Sequence, residues 1–206
     1  MNKKIIGVVA CGAVAASMAI GASASDELIK VGYAQVGHES DWRTANTQNY
    51  QDVFSEENGY ELSFVDCDND NAAQIEAVRN FINQELDYIV IAPIQSAGWD
   101  TVLQEAQDAG IPVIIADREI EASDDLYDAW VGTNTTNEGI TAGNWLAEYM
   151  DGKEANILVI EGSVGASAAL GRTDGFNQVA ADHDEWTILD SQSGDFTQDG
   201  GQEVME

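Results

Sequence analysis

Basic residues are scarce in this sequence: eight lysines and arginines stand against 37 acids over 206 residues, a formal net charge of −29. Such a balance repels phosphate backbones and anionic headgroups, and so disfavours nucleic acid and membrane surfaces as partners. Cysteine is limited to Cys11 and Cys67, and histidine to His38 and His183. No G-x-G-x-x-G follows an apolar run and no G-x-x-x-x-G-K-[ST] occurs, so neither a dinucleotide fingerprint nor a Walker-type phosphate loop is present. The apolar residues that are present, 44% of the chain, suffice for a packed core and argue against wholesale disorder.

The first residues form a unit of their own. Lys3 and Lys4 precede an uncharged run from Ile5 to Ile20, and Ala22-Ser23-Ala24 follows. A charged start, an apolar middle and a small-x-small site predict a secretory signal peptide over 1–24. The run is rich in Ala and Gly and falls short of the roughly 20 strongly apolar residues of a membrane anchor. Cleavage after Ala24 removes two lysines and no acid, taking the charge from −29 to −31. Cys11 belongs to the discarded peptide, which leaves Cys67 without an internal disulfide partner and expected as a small buried residue.

Strands and helices then alternate. Strands are predicted at "LIKVGYAQV", "YELSFVDCD", "DYIVIAP" and "PVIIAD". The helices between them are "DWRTANTQNYQDVFSEEN", ending near Gly59, "NAAQIEAVRNFINQEL" and "GWDTVLQEAQDAG". Ile75, Val78, Phe81 and Ile82 recur at helical spacing and should face the sheet. This βα alternation predicts a parallel sheet wound in right-handed crossovers with helices on both faces. The pattern restarts with "DAWVGTN", "TNEGITAGNWLAEYM", "ANILVIEG", "ASAALGRTDGFNQVAAD" and "WTILDSQS", and stops in "GGQEVME", which reads as the first turn of a helix. The expectation is an α/β chain of two lobes, 25–133 and 134–206, with about three strands after the break near Thr133. Two such lobes need roughly 250–300 residues, so the second is expected to be incomplete and the chain a fragment.

Two motifs suggest chemistry and are weak. "GASAA" at 165–169 half resembles a nucleophile elbow, but the two histidines are poorly placed to serve Ser167, for which helix capping is the expected role. "DCDNDN" at 66–71 alternates oxygen ligands yet lacks the turn glycine, and its twelfth position is Ala77 rather than Glu. Loop acids and a helix cap account for it. No metal, cofactor or catalytic residue is expected.

The stronger signal lies at the carboxyl ends of strands, where ligands gather in open parallel sheets. Asp117 and Arg118 end the fourth strand; "VGHESDWR" leaves the first with Glu39, Trp42 and Arg43. In the second lobe, "GASAALGRTDGF" supplies Arg172 and "SQSGDFT" supplies Phe196. A carboxylate accepts from hydroxyls, a guanidinium donates in a fork, and an aromatic face covers a sugar's C–H surface. Adjacent Asp and Arg can thus grip one vicinal diol.

On these residues, and on "VGYAQVGHESDWRTA", "APIQSAGWDTVLQEAQDAGIPVIIADREI", "VIEGSVGASAALGRTDGF" and "SQSGDFTQDGGQEVME", the chain resembles the periplasmic sugar-binding proteins of ABC transporters. The group is that of ribose and galactose, with a type I two-lobed fold; "ESDWR" with "SAGWD" points to its galactofuranose-like branch. The resemblance implies that Asp117 and Arg118 bind sugar hydroxyls, that Arg172 and Phe196 reach the ligand from the second lobe, and that Trp42 stacks with Glu39 and Arg43 beside it. It further implies a periplasmic monomer that is not an enzyme, carries no cofactor, and delivers a monosaccharide to a membrane permease. A sensor of the same fold acting through a receptor, a repressor's effector domain and an exported α/β hydrolase are the alternatives.

The acids form no block but spread over the chain, which fits a salty medium that screens them. Thermal unfolding should therefore shift upward from low to molar salt; equal stability in both would refute the adaptation.

Overall fold

The computed structural model describes residues 27–206; the expected leader and Cys11 lie outside the described residues. Five strands, β1 (Ile29–Gln35), β2 (Tyr60–Asp66), β3 (Tyr88–Ile91), β4 (Val113–Asp117) and β5 (Ala129–Gly132), form one sheet in the order β2-β1-β3-β4-β5. Every pairing is parallel. Helices α1 (Asp41–Val53), α2 (Asn71–Asn83) and α3 (Asp100–Asp108) make the crossovers. A second sheet pairs β6 (Ala155–Glu161) with β7 (Trp186–Ser193), again parallel. With it go α4 (Thr135–Met150), α5 (Ser167–Ala180) and α6 (Gln198–Met205). No helix among the described residues is long and apolar enough to cross a membrane.

The first sheet carries the core. Tyr33, Ala34, Ile89, Ile91 and Ile115 are fully buried, and Val78, Phe81, Trp99, Val102 and Leu103 cover them from α2 and α3. The face of α2 lies slightly round from the expected one: Val78 and Phe81 are buried, Ile75 and Ile82 only partly, and Gln74 and Ala77 join the buried set. Gln74 is a polar plug. Its Nε2 donates to the carbonyls of Ala34 (3.1 Å) and Ala92 (2.7 Å), and its Oε1 accepts from Ile94 N–H (2.9 Å). Ala34 O also accepts from Ala92 N–H at 3.1 Å, so the groups that depend on Gln74 are Ala92 O and Ile94 N–H, just past the end of β3, which would otherwise be buried unpaired at a cost of about 1–3 kcal/mol each.

Several local expectations are corrected. The first helix ends at Val53, and a separate 3-10 turn spans Glu56–Asn58. Two strands, not three, follow Thr133, because "DAWVGTN" adds to the first sheet beside β4. The last segment forms an eight-residue helix, capped by Thr197, whose hydroxyl accepts from Gly200 N–H. Ser167 caps nothing: the cap position is Ala166, and Ser167 Oγ is buried without a partner. Asp70 does cap α2, accepting from Ala72 and Ala73 N–H, and Asn134 caps α4.

The second sheet is less covered. Leu158 on β6 and Leu189 on β7 are 60% and 58% exposed. A cavity of about 780 Å³ separates α4 and α5 from the sheet, with Ile157, Val159, Phe176 and Ile188 among its walls.

Cys67 is buried at the end of β2, and burial, reinforced by Asp66 and Asp70, pushes its thiol up to about 12. A thiolate is the reactive form. A disulfide reagent at pH 8 should therefore leave Cys67 unlabelled in native protein and label it after unfolding; rapid native labelling would contradict this burial.

Candidate functional site

The order β2-β1-β3-β4-β5 reverses direction between β1 and β3, so the loops leaving these strands diverge and open a crevice there. Three loops line it: 36–40 after β1, 92–99 after β3 and 118–123 after β4.

The loop after β1 runs into α1 through Ser40, whose Oγ accepts from Arg43 N–H (3.1 Å). Helix α1 is tied to β1 by Asn46, whose Oδ1 accepts from Tyr33 Oη (3.2 Å) and Gln35 Nε2 (3.0 Å). Tyr50 stacks on Tyr33 at 4.2 Å. Burial, with the Tyr50 hydroxyl next in effect, raises the Tyr33 phenol well above its ordinary value, so it stays a neutral donor. This base aims the buried Arg43 across the sheet. Arg43 donates from Nε to Glu39 Oε1 (3.0 Å) and from Nη2 to Asp117 Oδ2 (2.7 Å).

At the end of β4 the backbone departs from the ordinary. Asp117 has φ +67°, and Arg118 N–H donates back to Ala116 O at 2.8 Å. This is a tight three-residue turn of the rare, strained hand. Successive side chains in a strand point to opposite faces; the turn breaks that alternation and lets Asp117 and Arg118 share one crevice. Arg118 donates from Nη2 to Glu39 Oε1 (3.3 Å) and from Nη1 to Pro93 O (3.5 Å).

Glu39, Arg43, Asp117 and Arg118 thus form one cluster of two anions and two cations. The arginines differ within it. Burial alone would lower Arg43, but the attraction and short bonds of Asp117 and Glu39 outweigh it and raise its pKa. Arg118 has longer bonds, so burial followed by repulsion from Arg43 brings it down to about 10. Both are charged at neutral pH. Glu39 Oε2 and Arg43 Nη1 are buried with no hydrogen-bond partner: one acceptor and one donor stand unused within the cluster.

Contacts from the second sheet meet this cluster. The Arg118 guanidinium lies 4.9 Å from the centre of the Phe196 ring, and Ser96 N–H donates to Gly165 O at 2.9 Å. Phe196 follows β7 with φ +60°, after Asp195 at +53°. Its ring presses on Gly162, where a Cβ would fall 1.9 Å from ring carbon Cζ. Trp42, 58% exposed, packs no core; Arg43 lies 4.9 Å from its ring centre. Arg172 sits apart. It donates from Nε to Glu138 Oε2 (2.8 Å) and lines the cavity between α4, α5 and the second sheet with Phe196, a cavity that touches none of Glu39, Asp117 or Arg118. Its charge still contributes, as the smallest of the causes named, to the lowering of Arg118.

Gly162, Pro93 and the Ser96–Glu121 pair, joined Oγ to Oε1 at 2.8 Å, escape sequence reasoning. Small residues just beyond strand ends were their one available signal. The hydrolase alternative finds no base at Ser167, whose Oγ has no hydrogen-bond partner; His38 pairs with Asp66 (3.1 Å), and His183 pairs with Glu185 (2.7 Å) and stacks on Trp186.

Removing Arg43 leaves two carboxylates without their shared cation, whereas removing Arg118 leaves Glu39 still bonded to Arg43. Arg43→Met should therefore cost about 3–5 kcal/mol in urea unfolding and Arg118→Met less than about 1 kcal/mol. Equal losses would overturn the ranking.

A family profile described as a periplasmic binding protein domain matches residues 31–206. The galactofuranose-binding protein YtfQ of Escherichia coli (strain K12) is 41% identical over 207 residues, covering 100% of this chain and 63% of its own length. A solved galactofuranose-binding protein superposes with a TM-score of 0.82 at 42% identity, over 86% of this chain and 60% of that one. The periplasmic component of the arabinose ABC transporter of Shewanella sp. ANA-3, bound to α- and β-L-arabinofuranose, does so with a TM-score of 0.79 at 41% identity, over 85% and 58%. The chain spans less than two thirds of the length of each of these relatives. With its parallel sheets, its crevice at the reversal between β1 and β3 and this likeness along the described chain, it belongs to the periplasmic binding protein family.

Proposed function

We propose that this chain captures a monosaccharide, in furanose form, in the crevice between its two sheets, as part of a solute-binding protein that serves an ABC permease. The observation that carries the reading is the pair of buried unused atoms, Glu39 Oε2 and Arg43 Nη1, inside a charge-balanced cluster. An acceptor and a donor together match a hydroxyl group, which donates one proton and accepts on its oxygen. A cluster of two acids and two guanidiniums offers no net charge to a phosphate or carboxylate ligand. Ligands named for similar proteins, galactofuranose and L-arabinofuranose, agree with that chemistry.

In this reading, residues 1–24 direct export to the periplasm, and 25–133 and 134–206 belong to two lobes. Glu39, Arg43, Asp117 and Arg118 grip hydroxyls from the first lobe, and Trp42 and Phe196 present aromatic surface to the sugar's C–H groups. Arg172, which stands apart from this cluster in the structure, adds a donor from the second lobe when the lobes close on the sugar. Binding needs no covalent chemistry. A sugar held from both sides favours the closed arrangement, because contacts from the second lobe form only there. The protein acts as a monomer and hands its cargo to the permease. Burial of charged groups makes the site selective: an analogue lacking a hydroxyl leaves them unpaired.

Thermal unfolding against D-galactose, L-arabinose, D-fructose and D-ribose, with D-galacturonate as a charged control, tests the reading. A ligand at 100 times its Kd should raise the midpoint by about 5–10 °C. Arg118→Met should weaken binding of the best sugar about 100-fold, equivalent to about 2.7 kcal/mol. No shift with any neutral sugar, or a larger one with galacturonate, would sink it.

A further inference from the structure

Glu138, in the first turn of α4, bonds with its two carboxylate oxygens to two different segments. Its Oε1 accepts from the Thr133 hydroxyl (2.8 Å) and its Oε2 from Arg172 Nε (2.8 Å). Thr133 lies between the end of β5 and the α4 cap, in the stretch where the chain leaves the five-stranded sheet. Arg172 lies on α5. The two helices meet there backbone to backbone: a Cβ on Gly139 would fall 2.1 Å from Arg172 O, and one on Gly175 2.0 Å from Thr136 O. The main chains are therefore fixed relative to each other, and only the torsions of the Arg172 side chain stay free. That side chain is about half exposed, at 48%, and a long flexible cation in that setting loses much rotamer freedom when it must hold one pose.

We propose that Glu138 is the positioning residue for Arg172: it holds the guanidinium by Nε, keeps its terminal nitrogens available for a sugar hydroxyl, and ties that grip to the crossover between the two sheets through Thr133. The inference rests on the reading of Arg172 as a sugar donor. The hydrogen bond from Thr133, opposed by partial burial and aided by Arg172, holds the Glu138 carboxyl below the usual carboxylate range, so the tether stays ionised at neutral pH. An exposed ion pair of this kind contributes little to folding. Its effect belongs to geometry, and it should appear in binding without appearing in stability.

Two measurements on the full chain separate the tether from the sugar reading. In sugar-free protein, the Arg172 Nε–H resonance should exchange slowly with solvent, faster in Thr133→Val, and become unobservable in Glu138→Gln. An unchanged signal in Glu138→Gln would overturn the tether. In titrations with D-galactose and L-arabinose, Glu138→Gln should weaken binding about tenfold with an unchanged melting temperature, and less than twofold in an Arg172→Ala background. An equal loss in both backgrounds means that Glu138 does not act through Arg172, which refutes the proposal. Should Arg172→Ala bind as well as the parent, or should the parent bind neither sugar, the role of Arg172 itself falls, and the positioning role with it, even where the resonance shows the tether intact.

Discussion

Arg43 holds the site together. It reaches from the first helix across the end of the sheet to a carboxylate 74 residues away, while a second bond retains its own neighbour one turn back. Burying a guanidinium and two carboxylates is costly unless each is paired. Here Arg43 is the shared partner: its removal takes the cation from both carboxylates, whereas removal of Arg118 leaves Glu39 still bonded to it. That mutual dependence orients Glu39 and Asp117, and it lets a second arginine, Arg118, be buried in the same place with weaker bonds. The opposite shifts of the two guanidiniums express this division: one is held by its partners, the other is under-satisfied.

The strained backbone sits beside these charges. Asp117 and Phe196 both have positive φ without being glycine, a conformation that bulky side chains seldom adopt. Asp117 ends a strand and Phe196 follows one, and each turns its side chain toward the crevice between the sheets. Gly162 gives the Phe196 ring the room of a missing Cβ, and the ring in turn covers Arg118. Polar atoms left unused, strained turns and an exposed aromatic side chain thus coincide on one crevice, while the polar plug of Gln74 and the Tyr33–Asn46 contacts beneath it are fully satisfied. A rigid floor under an incompletely satisfied surface is what hydroxyl recognition requires.

Periodicity made the elements legible. Apolar runs bounded by Gly and Asp marked each strand, and Val78 and Phe81 marked the inner face of α2. Positions that depend on a partner far along the chain were less legible. Gln74 reads as an ordinary polar helix residue until the chain leaving β3 presents it with Ala92 O and Ile94 N–H. Ser167 reads as a cap until Ala166 takes the bend. The assignment of "DAWVGTN" turned on strand pairing, which no local pattern encodes: β5 lies beside β4 because its residues register with Ile114 through Asp117.

By itself, the sequence determined the order of strands and helices, the acidic surface, and the set of charged and aromatic residues placed just beyond strand ends, because spacing and composition act locally. Tertiary structure alone decided that Arg43 answers Asp117, that Asp117 turns with positive φ, and that Arg172 is held by Glu138 rather than by the cluster. Those outcomes depend on how strands order themselves in the sheet and on where two helices touch, and hydrogen bonds across such distances form only once the fold has brought their donors and acceptors within about 3 Å.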